Sequence, residues 1–344
     1  MSTPFRVGLT HEYRSLVGRH GLDGAGLGAL GSAPDLTWEF MSTEDGALPP
    51  DVAARYDAIV IADQPVTASL VAGATRLRLV ARFGVGYDNV DVDACTAAGI
   101  LVSITPDGVR RPVATAAVTM MLALLHRVRE KDLQVRTGRW AERLDSVGFG
   151  PYGRVLGIIG LGNIGREVAR LCTALEMQCV AADPNVSAAD AAAAGVRLTT
   201  VDGLLTESDV VVVTCALTPQ TRGLLDAARI ARMKPTAYLV NVARGAVVDI
   251  PALTLALTER RIAGAALDVF DPEPFPAGHP ILALDNVLVS PHGITWTDQL
   301  IRGNGTSAAH AVLEVAAGRV PPYVLNPAAA TTRVADPSAT AAHR

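Results

Sequence analysis

Between Arg154 and Gly165 the chain reads RVLGIIGLGNIG, a short apolar run followed at once by Gly160-x-Gly162-x-x-Gly165 and then by a helical pattern over Arg166 to Leu175. A buried strand must turn tightly into a helix here. Gly160 permits the turn, Gly162 lets the backbone approach a pyrophosphate, and Gly165 lets helix and strand pack closely. The helix N-terminus then offers N–H groups and the positive end of its dipole to phosphates. The next apolar run, Cys179 to Ala182, ends in Asp183, where such a fold places an acid to accept hydrogen bonds from an adenosine ribose. No Arg or Lys follows until Arg197, so a 2'-phosphate has no evident partner and NAD is favoured over NADP.

A chain of 344 residues has room for more than this one unit, and two domains with separate cores are expected. With 49% hydrophobic and 19% charged residues it is globular, and a net charge of -4 gives no basic face for nucleic acid or an acidic membrane. Cys95, Cys172, Cys179 and Cys215 form no CxxC pair and have no His-rich company, so they read as small core residues and no metal is expected. The N-terminus has no basic start leading into an apolar core, and Val113 to Leu125 is too short to span a bilayer. A soluble, cytoplasmic protein is the expectation.

Strand-like and helix-like stretches alternate from Phe5 to Thr105, with strands near FRVGL, LTWEF, YDAIVIA, LRLVAR and GILVSI, which implies parallel α/β topology. Phe83-Gly84-Val85-Gly86-Tyr87-Asp88-Asn89 follows the fourth of these. Its glycines suit either an anion-binding run of backbone N–H groups or a plain tight turn. The pattern breaks at Thr105-Pro106-Asp107-Gly108, and a long helix is expected from about Pro112 to Arg129. Residues 130 to 153, with Trp140, Phe149 and Tyr152, read as an arm that makes a subunit contact or packs back on its own domain. The second α/β unit begins at Arg154, and a helix from about Thr297 to Gly318 is expected to return to the first. The fold class is therefore α/β, with two Rossmann-like or flavodoxin-like parallel sheets and the cofactor domain (105–295) inserted into a discontinuous domain (1–104 and 296–330). Residues 331–344 are expected to be disordered.

Three stretches place ionisable residues just past late strands of the second unit: Asn241-Val242-Ala243-Arg244-Gly245, Leu267-Asp268-Val269-Phe270-Asp271-Pro272-Glu273-Pro274, and Ser290-Pro291-His292. Together with GVGYDNVD, GLGNIGREVA, LTPQTRGLL, MKP, NVARGAVVD and AGAALDVFDPEP, they make the chain resemble the D-isomer-specific 2-hydroxyacid dehydrogenases over roughly residues 55 to 327.

The resemblance implies NAD as cofactor, a small 2-oxo or 2-hydroxy acid as substrate, and a homodimer formed through the arm and long helix. It casts His292 as general acid and base, Glu273 as its carboxylate partner, and Arg244 as the binder of the substrate's carboxylate and carbonyl oxygen, with Val85 and Gly86 amides as a second anchor. The cofactor would lie along Gly160, Gly162, Asn163, Ile164 and Gly165, against Asp183, Cys215, Val242, Ala243, Arg244 and His292, with Asp268 at its nicotinamide carboxamide.

The chemistry suits those residues. Reduction of a 2-oxo acid builds negative charge on the carbonyl oxygen as hydride arrives, and a proton must meet it there. A carboxylate neighbour favours a protonated imidazole, and a guanidinium fork fits a planar carboxylate.

The chain departs from the family in three places. Gly293-Ile294-Thr295-Trp296-Thr297 replaces the usual small-residue turn, so Trp296 would narrow the pocket. Thr115 stands where a glutamate is common, and Asp63 in Ala62-Asp63-Gln64-Pro65 has no assignable role. The retained Glu273 argues against formate. Phosphite and phosphoglycerate remain as substrates of the same family, the latter disfavoured by a sequence that ends soon after the expected domains. A dinucleotide-sensing co-repressor is the alternative of another class.

Overall fold

Apolar, β-branched runs in both halves of the chain become parallel strands, because β-α-β crossovers bury both faces of such sheets. The computed structural model describes residues 4–43 and 46–332. The chain divides into two compact units, Met1–Val109 with Trp296–Arg344, and Arg110–Thr295.

The first unit holds β1 (Phe5–Leu9), β2 (Leu36–Phe40), β3 (Ala58–Ile61), β4 (Leu79–Arg82) and β5 (Leu101–Ser103) in the order β2-β1-β3-β4-β5. Every pairing is parallel. The order is flavodoxin-like, reversing between β1 and β3. Val7, Leu9, Val60 and Ala81 pack one face under the helix Asp298–Ala316, while Ile59, Ile61, Val80 and Val102 pack the other.

The second unit carries β6 (Val155–Ile159), β7 (Gln178–Ala182), β8 (Arg197–Leu198), β9 (Val210–Val213), β10 (Tyr238–Asn241), β11 (Gly264–Leu267) and β12 (Val287–Val289). These seven strands are ordered β12-β11-β10-β9-β6-β7-β8, the doubly wound arrangement, with reversal between β6 and β9. Strand β9 is four valines, all buried, as a central strand covered on both faces requires.

The long helix begins earlier than the sequence suggests, running Pro106–Leu125 rather than from Pro112. Proline belongs at a first helical turn, where its missing N–H costs nothing, so Pro106 opens the helix instead of marking a break. It stops before Arg127, whose φ of 52° is left-handed, and a separate helix Val128–Arg136 follows. The long helix is long and apolar enough to cross a membrane, yet Ala117, Met120, Met121, Leu124 and Leu125 lie in the core of the second unit. Thr331 and Thr332 close a short helix, Ala329–Thr332, instead of opening a disordered tail. The rest of that expected tail lies outside the described residues.

Candidate active site

The nucleotide crevice follows from sheet order. At the reversal between β6 and β9 the strands' carboxyl ends diverge, and the residues just beyond them are Gly160 and Cys215. Gly160 has φ 95°, and a Cβ on it would stand 2.6 Å from the Cys215 Cα. Only glycine fits there.

The Gly160 carbonyl accepts a 2.7 Å hydrogen bond from Thr214 Oγ1, and a Cβ on Gly165 would come within 2.2 Å of that same oxygen. A Cβ on Gly162, by contrast, would meet nothing within 4 Å. Gly162 also caps the helix Asn163–Thr173 without any side-chain hydrogen bond. An open cradle over uncapped amides of Asn163, Ile164 and Gly165 is what a pyrophosphate requires, so the residues present fit a dinucleotide.

Asp183 braces this loop. Its Oδ2 accepts from the Leu161 N–H at 2.8 Å and its Oδ1 from the Asn185 N–H at 2.9 Å, and each oxygen keeps a second lone pair. Burial pushes the Cys215 thiol up to about 11, so it lines the crevice as a neutral group. Val242 is half-buried and Ala243 buried, both just beyond β10.

Three loops leave the carboxyl ends of β10, β11 and β12, strands that lie side by side. His292 sits at φ 52°, a strained position for any residue but glycine. It is held there by its neighbours. Its N–H donates to the Asp268 carbonyl at 2.7 Å and the Ser290 carbonyl at 3.0 Å. Asp268, only 2% exposed, uses Oδ1 to accept the next two amides, Gly293 at 2.9 Å and Ile294 at 3.1 Å.

The imidazole Nδ1 then meets Glu273 Oε2 at 2.8 Å, while Glu273 Oε1 accepts from the Phe270 N–H, also at 2.8 Å. Facing a carboxylate, Nδ1 carries a proton, which fixes the tautomer of the ring. Burial pulls the Glu273 carboxyl up. The hydrogen bonds from His292 and Phe270 and the charges of His292 and Arg244 outweigh it, so the group stays below the usual glutamate value.

Arg244 has an extended backbone in a loop set by Asn241. This fully buried side chain donates from Nδ2 to the Arg244 carbonyl at 3.0 Å and accepts on Oδ1 from the Ala243 N–H at 3.0 Å. Arg244 Nη1 donates to the Ala243 carbonyl at 2.7 Å. Gly245 lets this loop touch the next one, since a Cβ there would lie 2.0 Å from the Phe270 carbonyl carbon. That approach brings the guanidinium into electrostatic range of Glu273. Val85 and Gly86 belong to the first unit, in the turn after β4 that Gly84 opens at φ 142°.

The second unit thus joins Arg244, Glu273, His292 and Asp268, which lie far apart in sequence. Asp268 is engaged with the His292 turn in addition to any contact with a nicotinamide. Asn241 was not singled out from sequence, although an Asn ending an otherwise apolar strand was the available signal. Among the described residues no group of His, Cys, Asp and Glu is arranged to hold a metal.

The family described as D-isomer specific 2-hydroxyacid dehydrogenase, NAD binding domain, matches residues 118–293. The chain belongs to the D-isomer-specific 2-hydroxyacid dehydrogenase family.

Similar family proteins include a D-3-phosphoglycerate dehydrogenase of Archaeoglobus fulgidus, 39% identical over 77% of this chain but only 50% of its own length. A glyoxylate reductase of Korarchaeum cryptofilum is 37% identical over 78% of this chain and 82% of its own. The chain therefore spans about half the length of that phosphoglycerate dehydrogenase. Among solved structures, a D-lactate dehydrogenase from Aquifex aeolicus in complex with NAD and lactic acid superposes with a TM-score of 0.79 at 27% identity, covering 93% of this chain and 99% of its own.

Proposed function

We propose that the protein is an NAD-dependent oxidoreductase interconverting a small 2-oxo acid and its D-2-hydroxy acid. The His292–Glu273 pair at 2.8 Å, with Arg244 close enough to bias it, carries this reading. In reduction, the bound nicotinamide supplies hydride to the carbonyl carbon. His292, its Nδ1 proton held by Glu273, delivers the proton to the carbonyl oxygen from Nε2 and takes it back in oxidation. Arg244 grips the substrate carboxylate and stabilises charge on the carbonyl oxygen. Glu273 stays ionised throughout, which its lowered pKa supports.

The absence of a basic residue between Asp183 and Arg197 supports NAD over NADP. The family's named relatives make glyoxylate and phosphoglycerate-type oxo acids the first to try. A homodimer is favoured by exposed apolar side chains along the arm, with Trp140 66%, Leu144 73% and Tyr152 75% exposed.

A panel of 2-oxo acids assayed with NADH and with NADPH tests the reading. Turnover of at least one acid with NADH, well above its rate with NADPH, is expected. Tight NADH binding with no turnover across the panel would instead support a dinucleotide-sensing interaction protein.

A further inference from the structure

Glu273 has to meet the His292 ring at 2.8 Å from a stretch with little of its own to hold it. Asp271, Pro272, Glu273 and Pro274 are all exposed and lie in no helix or strand, and the Glu273 side chain is 38% exposed. Exposed segments with few buried contacts open readily, and a displacement of about 1 Å at a site of proton transfer is enough to slow the reaction. The carboxylate therefore depends on what fixes the ends of the stretch.

Those ends are two aromatic residues. Phe270 and Phe275 flank the four exposed residues, and their rings meet at a centroid distance of 4.5 Å with a tilt of 30°. Both are partly buried against the hydrophobic core of the second unit. Residues 271–274 thus form a bow whose two feet are clasped ring to ring, at a separation aromatic pairs favour.

Each foot is anchored differently. The Phe270 carbonyl lies against Gly245, and its N–H closes the bow from inside by donating to Glu273 Oε1 at 2.8 Å. Among the described residues the Phe275 backbone takes part in no hydrogen bond, so its side chain is what fixes this end. The Phe275 ring also meets the His279 ring at 4.8 Å. His279 Nδ1 in turn accepts from the Ile281 N–H at 3.3 Å, opening the short turn Pro280–Ala283, and Ile281 is 0% exposed. A chain of three rings runs from the Glu273 bow to a fully buried side chain.

Resting on the dehydrogenase reading above, we infer that Phe275 is a positioning residue for proton transfer: by clasping Phe270 it keeps the Glu273 carboxylate on His292 Nδ1, acting through Glu273 and not on the reacting groups. The role asks for an apolar side chain long enough to reach Phe270 and the core, which leucine supplies and alanine does not. Simple core packing would behave otherwise, because its loss would weaken the fold and NADH binding together and would cost the same whatever stands at residue 273.

The test measures kcat and KM for the best 2-oxo acid, and the Kd for NADH, in the native enzyme, Phe275→Ala, Glu273→Gln and the double variant, with melting curves alongside. Phe275→Ala should lower kcat by about fivefold or more while KM and the Kd for NADH stay within about twofold. In the Glu273→Gln background the same change should cost less than about twofold, since the charge it positions is gone. Phe275→Leu should keep kcat within about twofold of native. If Phe275→Ala does not fold, Phe275→Val, which shortens the same contact, takes its place under the same criteria. Native kcat in the folded variant, an equal fold-loss in both backgrounds, a loss carried by KM or NADH affinity, or a leucine variant as slow as the alanine one would each overturn the inference. A native enzyme that reduces no 2-oxo acid would instead sink the dehydrogenase reading beneath it.

Discussion

At the scale of single residues, the surroundings of His292 fix both its backbone and its ring. Its left-handed backbone is tied to Asp268 and Ser290, and its ring is tied to Glu273. The carboxylate is the member whose removal is most informative. Glu273→Gln keeps the shape and removes the charge, so we expect kcat for 2-oxo acid reduction to fall by at least about tenfold, with KM and NADH affinity little changed. An equal rise in KM would mean that Glu273 serves binding instead.

Arg244, Glu273 and His292 could be picked out as candidates from the sequence because each lies in a motif just past a strand end. The grip of Asn241 on the Arg244 loop and of Asp268 on the His292 turn could not, since both depend on which strand lies beside which. Asp63 was visible as a departure, but its partner Arg82 was not, because strand pairing and not sequence spacing brings them together.

Among the elements, the glycine-rich turn shows how little freedom the nucleotide crevice has. Gly165→Ala would drive a methyl to 2.2 Å from the Gly160 carbonyl oxygen, on rigid backbone. Thermal unfolding should report a loss of about 1–3 kcal/mol, and NADH titration a weaker Kd. Native stability and affinity in that variant would refute the assigned packing.

The opposite end of the same sheet is held by charge. The Asp209 carboxylate accepts from the Val155 N–H at 2.9 Å and from Lys234 Nζ at 3.0 Å. Burial pushes it up, and these bonds together with the Lys234 and Arg154 charges bring it below its ordinary value. A depressed carboxyl contributes stability that is complete above the unfolded value, about 4, and is lost as pH falls through the lower native value. Asp209→Asn should therefore cost about 1–3 kcal/mol at neutral pH and flatten the acid limb of stability against pH. An acid limb as steep as the native one would count against this account.

Strand positions were readable from apolar β-branched runs, whereas the start of the long helix was not. Pro106 reads as a breaker until one knows that it occupies a first turn.

For the whole molecule, the alternation of strands and helices announced two parallel sheets, and the family match agrees with them. The arm's exposed apolar residues bear on assembly. Light scattering after gel filtration should give a dimer, and Leu144→Asp with Val147→Asp, at side chains 73% and 66% exposed, should shift it to monomer without unfolding it. A native monomer would remove the reason for those side chains to be apolar.

The central claim is that an imidazole held by Glu273 passes the proton beside a bound nicotinamide. His292→Ala, assayed for NADH-dependent reduction of the best 2-oxo acid and titrated with NADH in parallel, addresses it most directly. The account predicts that kcat falls by about 10²- to 10⁴-fold while the Kd for NADH stays within about twofold. Turnover retained at the native rate, or NADH binding lost along with it, would contradict that claim.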